Sequence, residues 1–127
     1  MGAIMQDYTK LKVWQKSHAL TVSMYNVTGV FPNHEVFGLT SQIRRAAFSI
    51  PANIAEGCGR GANPELRQFL YVALGSASEL EYYILLAKDL HIFTDKQFAA
   101  LQLRVNEIKR MLAGLIETVS KHALQPN

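Results

Sequence analysis

The chain contains a single cysteine, Cys58, among its 127 residues. No intrachain disulfide can form and no thiolate cluster can hold zinc, so a reducing compartment suits it. Charge is also scarce: charged residues make up 18% against 49% hydrophobic, with a net charge of +3. That balance excludes a disordered chain and supplies apolar mass for one domain with a real core. The opening MGAIMQDYTKLKVWQK has no apolar h-region, so no secretory signal is expected, and Gln6 stands where a myristoylation signal wants Ser or Thr. The most apolar run, FLYVALGSASELEYYILLA, is broken by Glu79 and Glu81, which argues against a membrane span. A cytoplasmic protein without a membrane partner is the expectation.

Catalytic patterns are missing too. No His-Glu-x-x-His, P-loop or nucleophile elbow occurs. No glutamate is followed three residues later by histidine, as a di-metal bundle requires, or by glutamate, as helical pyrophosphohydrolases require. The histidines share no face. His18 lies on an apolar stripe, His34 follows a turn proline, and His91 and His122 end helices, where positive charge suits the dipole. Gly57, Gly59 and Gly61 read as an interhelical turn, because no strand precedes them and no Gly-Lys-Ser/Thr follows. No metal, no cofactor and no enzymatic activity are expected.

Strand-like alternation is absent, and helical periodicity covers nearly everything. Four helices are predicted, at about 8–30, 36–56, 64–91 and 95–122. The first stops before Pro32. GCGRGAN follows the second as a loop. Asn63 is the expected N-cap of the third, with Pro64 at its first position and Glu65 in its first turn. Thr94 with Gln97 forms a capping box for the fourth. Short connections make this an all-α, up-and-down antiparallel four-helix bundle, one domain over 1–127.

The faces carry more information than the boundaries. The fourth helix has one stripe, Phe98, Leu101, Val105, Ile108, Leu112, Leu115 and Val119, opposite a mixed-sign polar face. The first helix has two: Val13, Leu20, Met24, Val27 and Phe31 form one, and Leu11, Trp14, Val22 and Tyr25 form another beside it. In the second helix Ile43, Ala47, Ile50 and Ile54 make a core row, while Phe37 and Phe48 project away from it. Apolar surface beyond one stripe marks an interface or deeper burial within the subunit. The first reading is preferred, so Leu11, Trp14, Val22, Tyr25, Phe37 and Phe48 are candidates for contact between copies.

A polar seam runs beside the isoleucine row through Gln42, Arg45, Ser49, Asn53 and Glu56. Pro51 lacks the N–H that would bond the Ala47 carbonyl, so that carbonyl needs another donor, from the seam or from water. Glu79, at the edge of the third helix's apolar arc, needs a cation; Arg44 or Arg45 is the candidate, with Asn53 as a further donor.

LKVWQKSHAL, FPNHEVFGLTSQIRRAAFSIPANIAEGCGR and ELRQFLYVALGSASELEYYILLAKDL together resemble the bacterial four-helix bundle family, also called the intervening-sequence protein family. Some of its members are encoded within insertions in large-subunit ribosomal RNA genes. SIPANIAEG with GSASELE is the distinctive part of the match, which spans most of the chain. The resemblance implies a ring-shaped homopentamer without an established catalytic role. A related family, the accessory variability determinant of diversity-generating retroelements, is similar in shape and binds nucleic acid and reverse transcriptase.

The leading functional reading is therefore a noncatalytic homo-oligomeric scaffold that binds RNA or DNA through basic surface. Lys12, Lys16, Arg60 and Arg67 are the phosphate-contacting candidates, although each also fits an ordinary solvated face. A protein-interaction module without nucleic acid is the alternative. A metal- or nucleotide-dependent enzyme around Glu56 and Glu79 ranks third.

Overall fold

The computed structural model describes residues 7–124, with side chains through Lys121, so the ends of the predicted domain and the His122 side chain lie outside the described residues. Four helices follow one another: α1 (Lys12–Thr28), α2 (Leu39–Gly59), α3 (Asn63–Asp89) and α4 (Asp95–Leu124). Two short 3-10 turns, Tyr8–Lys10 and Asn33–Glu35, precede α1 and α2, and the described residues contain no strand.

The helices run antiparallel, and cross-links between them fix the direction. Thr28 and Tyr25 of α1 meet Arg44, while Thr21 meets Ala47. Between α2 and α3, Arg45 pairs with Glu79 and Ser49 with Ser76. Between α3 and α4, Glu81 meets Lys109 and Lys88 lies over the Phe98 ring. In each pair residue numbers rise along one helix as they fall along the other. The core between them is aliphatic, with Leu20, Ile43, Ile50, Leu70, Leu80 and Leu112 all without solvent exposure.

The first helix begins later than the periodicity suggested. Asp7 accepts from the Thr9 side chain and backbone N–H, folding Tyr8–Lys10 into a separate turn. Those same bonds, the side-chain one first, hold the Asp7 carboxyl below its ordinary range. Helix α2 starts at Leu39 rather than Val36 because Glu35, in the preceding turn, caps it: its Oε1 accepts from the Leu39 N–H at 3.1 Å. A side chain at Gly38 would come within 2.9 Å of that carboxylate oxygen.

The far end of α2 also differs from expectation. The helix continues through Gly57 and Cys58 to Gly59 instead of opening into a loop at position 57. Gly57 is there for closeness: a Cβ would fall 3.0 Å from Leu66 Cδ1 and 3.0 Å from Phe69 Cβ of α3. That contact carries Cys58 into the core, and burial, ahead of the nearby Asp7 charge, pushes its thiol pKa up. The actual turn is tight, with Gly61 at φ 78°, a conformation that suits glycine. Asn63 then lies buried within the first turn of α3, one position inside its expected place, and Pro64 follows it.

Between α3 and α4 the expected capping box is realised, and α3 closes with a cap the spacing had not shown. Ile92 N donates to Ala87 O at 2.8 Å and His91 N to Lys88 O at 2.9 Å, a Schellman closure with His91 in the left-handed position at φ 61°. Thr94 and Gln97 exchange their side-chain bonds at 2.9 and 3.1 Å. Along α4 the buried stripe is Leu101, Val105, Ile108, Leu112, Ile116 and Val119, so Ile116 replaces the expected Leu115. Strict alternation of three and four repeats every 3.5 residues and drifts by about 20° per heptad against a straight helix. By the last turns a step of four keeps phase with 3.6, and Leu115 moves to the flank.

Candidate functional surface

Pro51 is accommodated inside α2, and the missing donor comes from across the bundle. Thr21 Oγ1 of α1 lies 3.1 Å from the Ala47 carbonyl and 2.8 Å from the Ser17 carbonyl. Among the described residues the side chain that reaches the Ala47 carbonyl is thus an α1 hydroxyl and not the expected member of the seam. The sequence held the signal, since Thr21 is a threonine on the inner side of α1, but assigning it required the register of α1 on α2.

The seam itself faces α3. Arg45 Nη2 meets Glu79 Oε1 at 2.9 Å and also donates to Gln42 Oε1, and this bond to Glu79 is the main cause of the raised Arg45 pKa. The Tyr83 hydroxyl sits 3.3 Å from Glu79 and 3.4 Å from Gln42. Ser49 and Ser76 bond at 2.8 Å, and Asn53 turns back to Ser49 instead of reaching Glu79 as an extra donor. Glu56 stands apart with Arg60, at 3.0 Å.

Arg44 lies elsewhere than the seam, because it is nearly half a helical turn away from Gln42 and faces α1. Its Nε donates to the buried Thr28 hydroxyl at 2.8 Å, its Nη2 to the Tyr25 carbonyl at 3.2 Å, and its guanidinium covers the Tyr25 ring at 4.6 Å. These bonds satisfy groups at the C-terminal end of α1. They also build one wall of a cleft of about 570 Å³ between the end of α1, the turn at 33–36 and the start of α2. Tyr25, Val36, Ser41, Arg45 and Phe48 line it with Arg44.

Apolar surface around this cleft is open to solvent. Phe37 is 96% exposed, and Val22, Tyr25, Val36 and Phe48 are between 42% and 49% exposed. Leu11 and Trp14, the other two interface candidates, are half-buried and pack against the chain's own core. Tyr8 meets the Trp14 ring edge-on at 5.0 Å, and His18, exposed, stacks on it at 4.9 Å.

The four cationic candidates gather toward one end of the bundle, where α1 begins, α2 ends and α3 begins. Two are already engaged: Lys16 pairs with Glu107 at 3.3 Å, and Arg60 pairs with Glu56 and covers the Phe69 ring at 5.0 Å. Lys12 is exposed and Arg67 half-buried beside Glu65 and Tyr71, and neither has an ion pair among the described residues. Among the described residues no three of His, Cys, Asp and Glu converge on a position that could hold a metal ion. No helix among them is long and apolar enough to cross a membrane.

A family profile described as 23S rRNA-intervening sequence protein matches residues 9–114. The chain is also similar to a crystal structure of a protein of unknown function from the S23 ribosomal protein family of Bacteroides thetaiotaomicron VPI-5482. The two share 28% identity with a TM-score of 0.77, over 83% of this chain and 95% of the other. No curated protein matches the sequence.

Proposed function

This chain belongs to the 23S rRNA-intervening sequence protein family, and we propose that it is a noncatalytic, self-associating helical scaffold that meets RNA or DNA through its cationic end. The observation carrying the scaffold reading is the apolar surface of Tyr25, Val36, Phe37 and Phe48 around one cleft. Exposed apolar surface of this kind is a liability for a lone subunit and is ordinarily covered by a partner. The assembly is a closed ring of five copies, as the family resemblance implied. Light scattering coupled to chromatography should give five times the 14.2 kDa chain mass. A compact species at one chain mass in dilute solution overturns the scaffold.

The nucleic-acid part rests on Lys12 and Arg67, the two of the four candidates without a carboxylate partner among the described residues, with Lys16 and Arg60 available only by exchanging Glu107 and Glu56 for phosphate. Assembly multiplies the net charge of +3 per chain. Such contacts release counterions and favour no sequence, so retardation of an RNA or DNA probe should fall steeply with salt. No retardation even at low ionic strength removes this part and leaves the scaffold standing. The same exposed apolar surface favours a second reading, a protein-interaction module; nuclease-resistant co-purification of a host protein supports it.

A further inference from the structure

We infer that Phe37 of one copy inserts into the cleft between Tyr25, Val36 and Phe48 of another. The inference rests on the self-association proposed above and assigns its central contact. Phe37 stands at the tip of the turn leading into α2. That turn is held rigidly: Gly38 N bonds Glu35 O at 3.0 Å, and Glu35 Oε1 takes the Leu39 N–H. The ring is 96% exposed although it follows Val36, which lines the chain's own cleft. A fixed backbone thus presents an aromatic side chain outward, beside an aromatic-walled cleft that it does not fill.

Three properties select a second copy as the occupant. The cleft is large enough for a phenyl ring, and Phe48 and the part of Tyr25 that Arg44 does not cover, each residue more than two-fifths exposed, offer aromatic surface to it. Charge is compatible: the inserting segment carries Glu35 and no Lys or Arg, while Arg44 and Arg45, already bonded to Thr28 and Glu79, line the receiving side. Extent fits as well: the exposed parts of Val22, Tyr25, Val30, Val36, Phe37 and Phe48 amount to roughly 600 Å², at the upper end for the largest patch of a typical monomer and approaching one side of a standard interface. Every copy carries both ring and cleft, so a closed assembly leaves no Phe37 bare.

The test places a photoreactive phenylalanine analogue at position 37 of the full chain. Irradiation should yield a covalent dimer on a denaturing gel, with the attachment mapped to peptides containing Tyr25, Val36 or Phe48. Attachment elsewhere, or within single chains only, overturns the insertion while a multimeric mass leaves self-association intact. A single-chain mass before irradiation overturns both. Phe37→Ala provides an independent readout free of any probe. It should raise the subunit dissociation constant at least tenfold with unchanged helical content, and Phe37→Leu should lose less. An unchanged constant in Phe37→Ala also overturns the insertion.

Discussion

Helix α4 and the α1–α2 side of the bundle are built from similar amounts of apolar sequence but finish their outer surfaces differently. On α4 the stripe goes inward, Leu103 is the one exposed large apolar residue among those described, and the outer charges settle in pairs such as Lys109–Glu81 and Lys121–Glu117. On the α1–α2 side the core row is equally well buried, yet Tyr25, Phe48 and Phe37 remain in water. Polar groups show the same division of labour. Arg44, Thr21 and Glu35 are spent closing backbone ends and the Pro51 gap, and beyond the Arg44 guanidinium over Tyr25 they leave Phe37 and Phe48 without polar cover. One face meets solvent with paired charge, and the other meets it with exposed rings.

If that difference lies outside the core, then the two interiors should respond alike. Ile50→Ala under α2 and Ile108→Ala under α4, both essentially unexposed, should each lower folding stability by about 3 kcal/mol. Denaturant titration at fixed chain concentration measures this. A loss confined to one of them would show that the helices differ in packing, and the comparison would have to be redrawn there.

The outer surfaces should respond in opposite ways. Phe48→Glu, at a position 45% exposed, should weaken association by about a hundredfold while leaving the single chain folded. Leu103→Glu, at a position 70% exposed on α4, should leave the assembled mass unchanged. Light scattering over a dilution series reads both. Equal sensitivity at the two positions would mean that exposed apolar area alone, wherever it lies, governs association.

Much of this was legible from spacing. The four helices and the Thr94–Gln97 box follow from local pattern, and the need of Glu79 for a cation follows from charge compensation, although that need left Arg44 and Arg45 open until packing chose Arg45. What spacing could not give was register between helices. Thr21 serving Ala47, Arg44 serving Thr28, and Gly57 allowing α3 to approach are contacts across sequence, so only packing assigns them. Helix starts were missed where a side chain from the preceding turn acted as cap, as Glu35 does for Leu39. The cleft was illegible for the same reason, since it is made by a turn lying against two helices.

The proline gap offers a smaller but cleaner probe of the α1–α2 contact. Thr21→Val keeps the shape and removes the hydroxyl, leaving the Ala47 carbonyl short of a donor at an estimated cost of about 1–2 kcal/mol. Pro51→Ala restores a backbone N–H for that carbonyl. Combining the two should therefore make Thr21→Val nearly harmless, and a double-mutant cycle reads the coupling directly. Additive losses would mean that the hydroxyl serves Ser17 alone.

The completed side has its own local strain, and it predicts the smallest change, an improvement. His91 occupies the left-handed position of the Schellman turn at φ 61°, where a Cβ is crowded and glycine is not. Its side chain is exposed, so little packing is lost on removing it. His91→Gly should raise stability by about 1 kcal/mol, or a few degrees in melting temperature, after the extra flexibility of glycine in the unfolded chain is set against the relief. The turn shares the cleft's end of the bundle, with Phe93 edge-on to the cleft-lining Phe31 at 5.3 Å, but His91 itself does not line the cleft, so association should not change. A gain in stability accompanied by altered assembled mass would instead tie the α3–α4 end to the interface, and the two faces would no longer be independent.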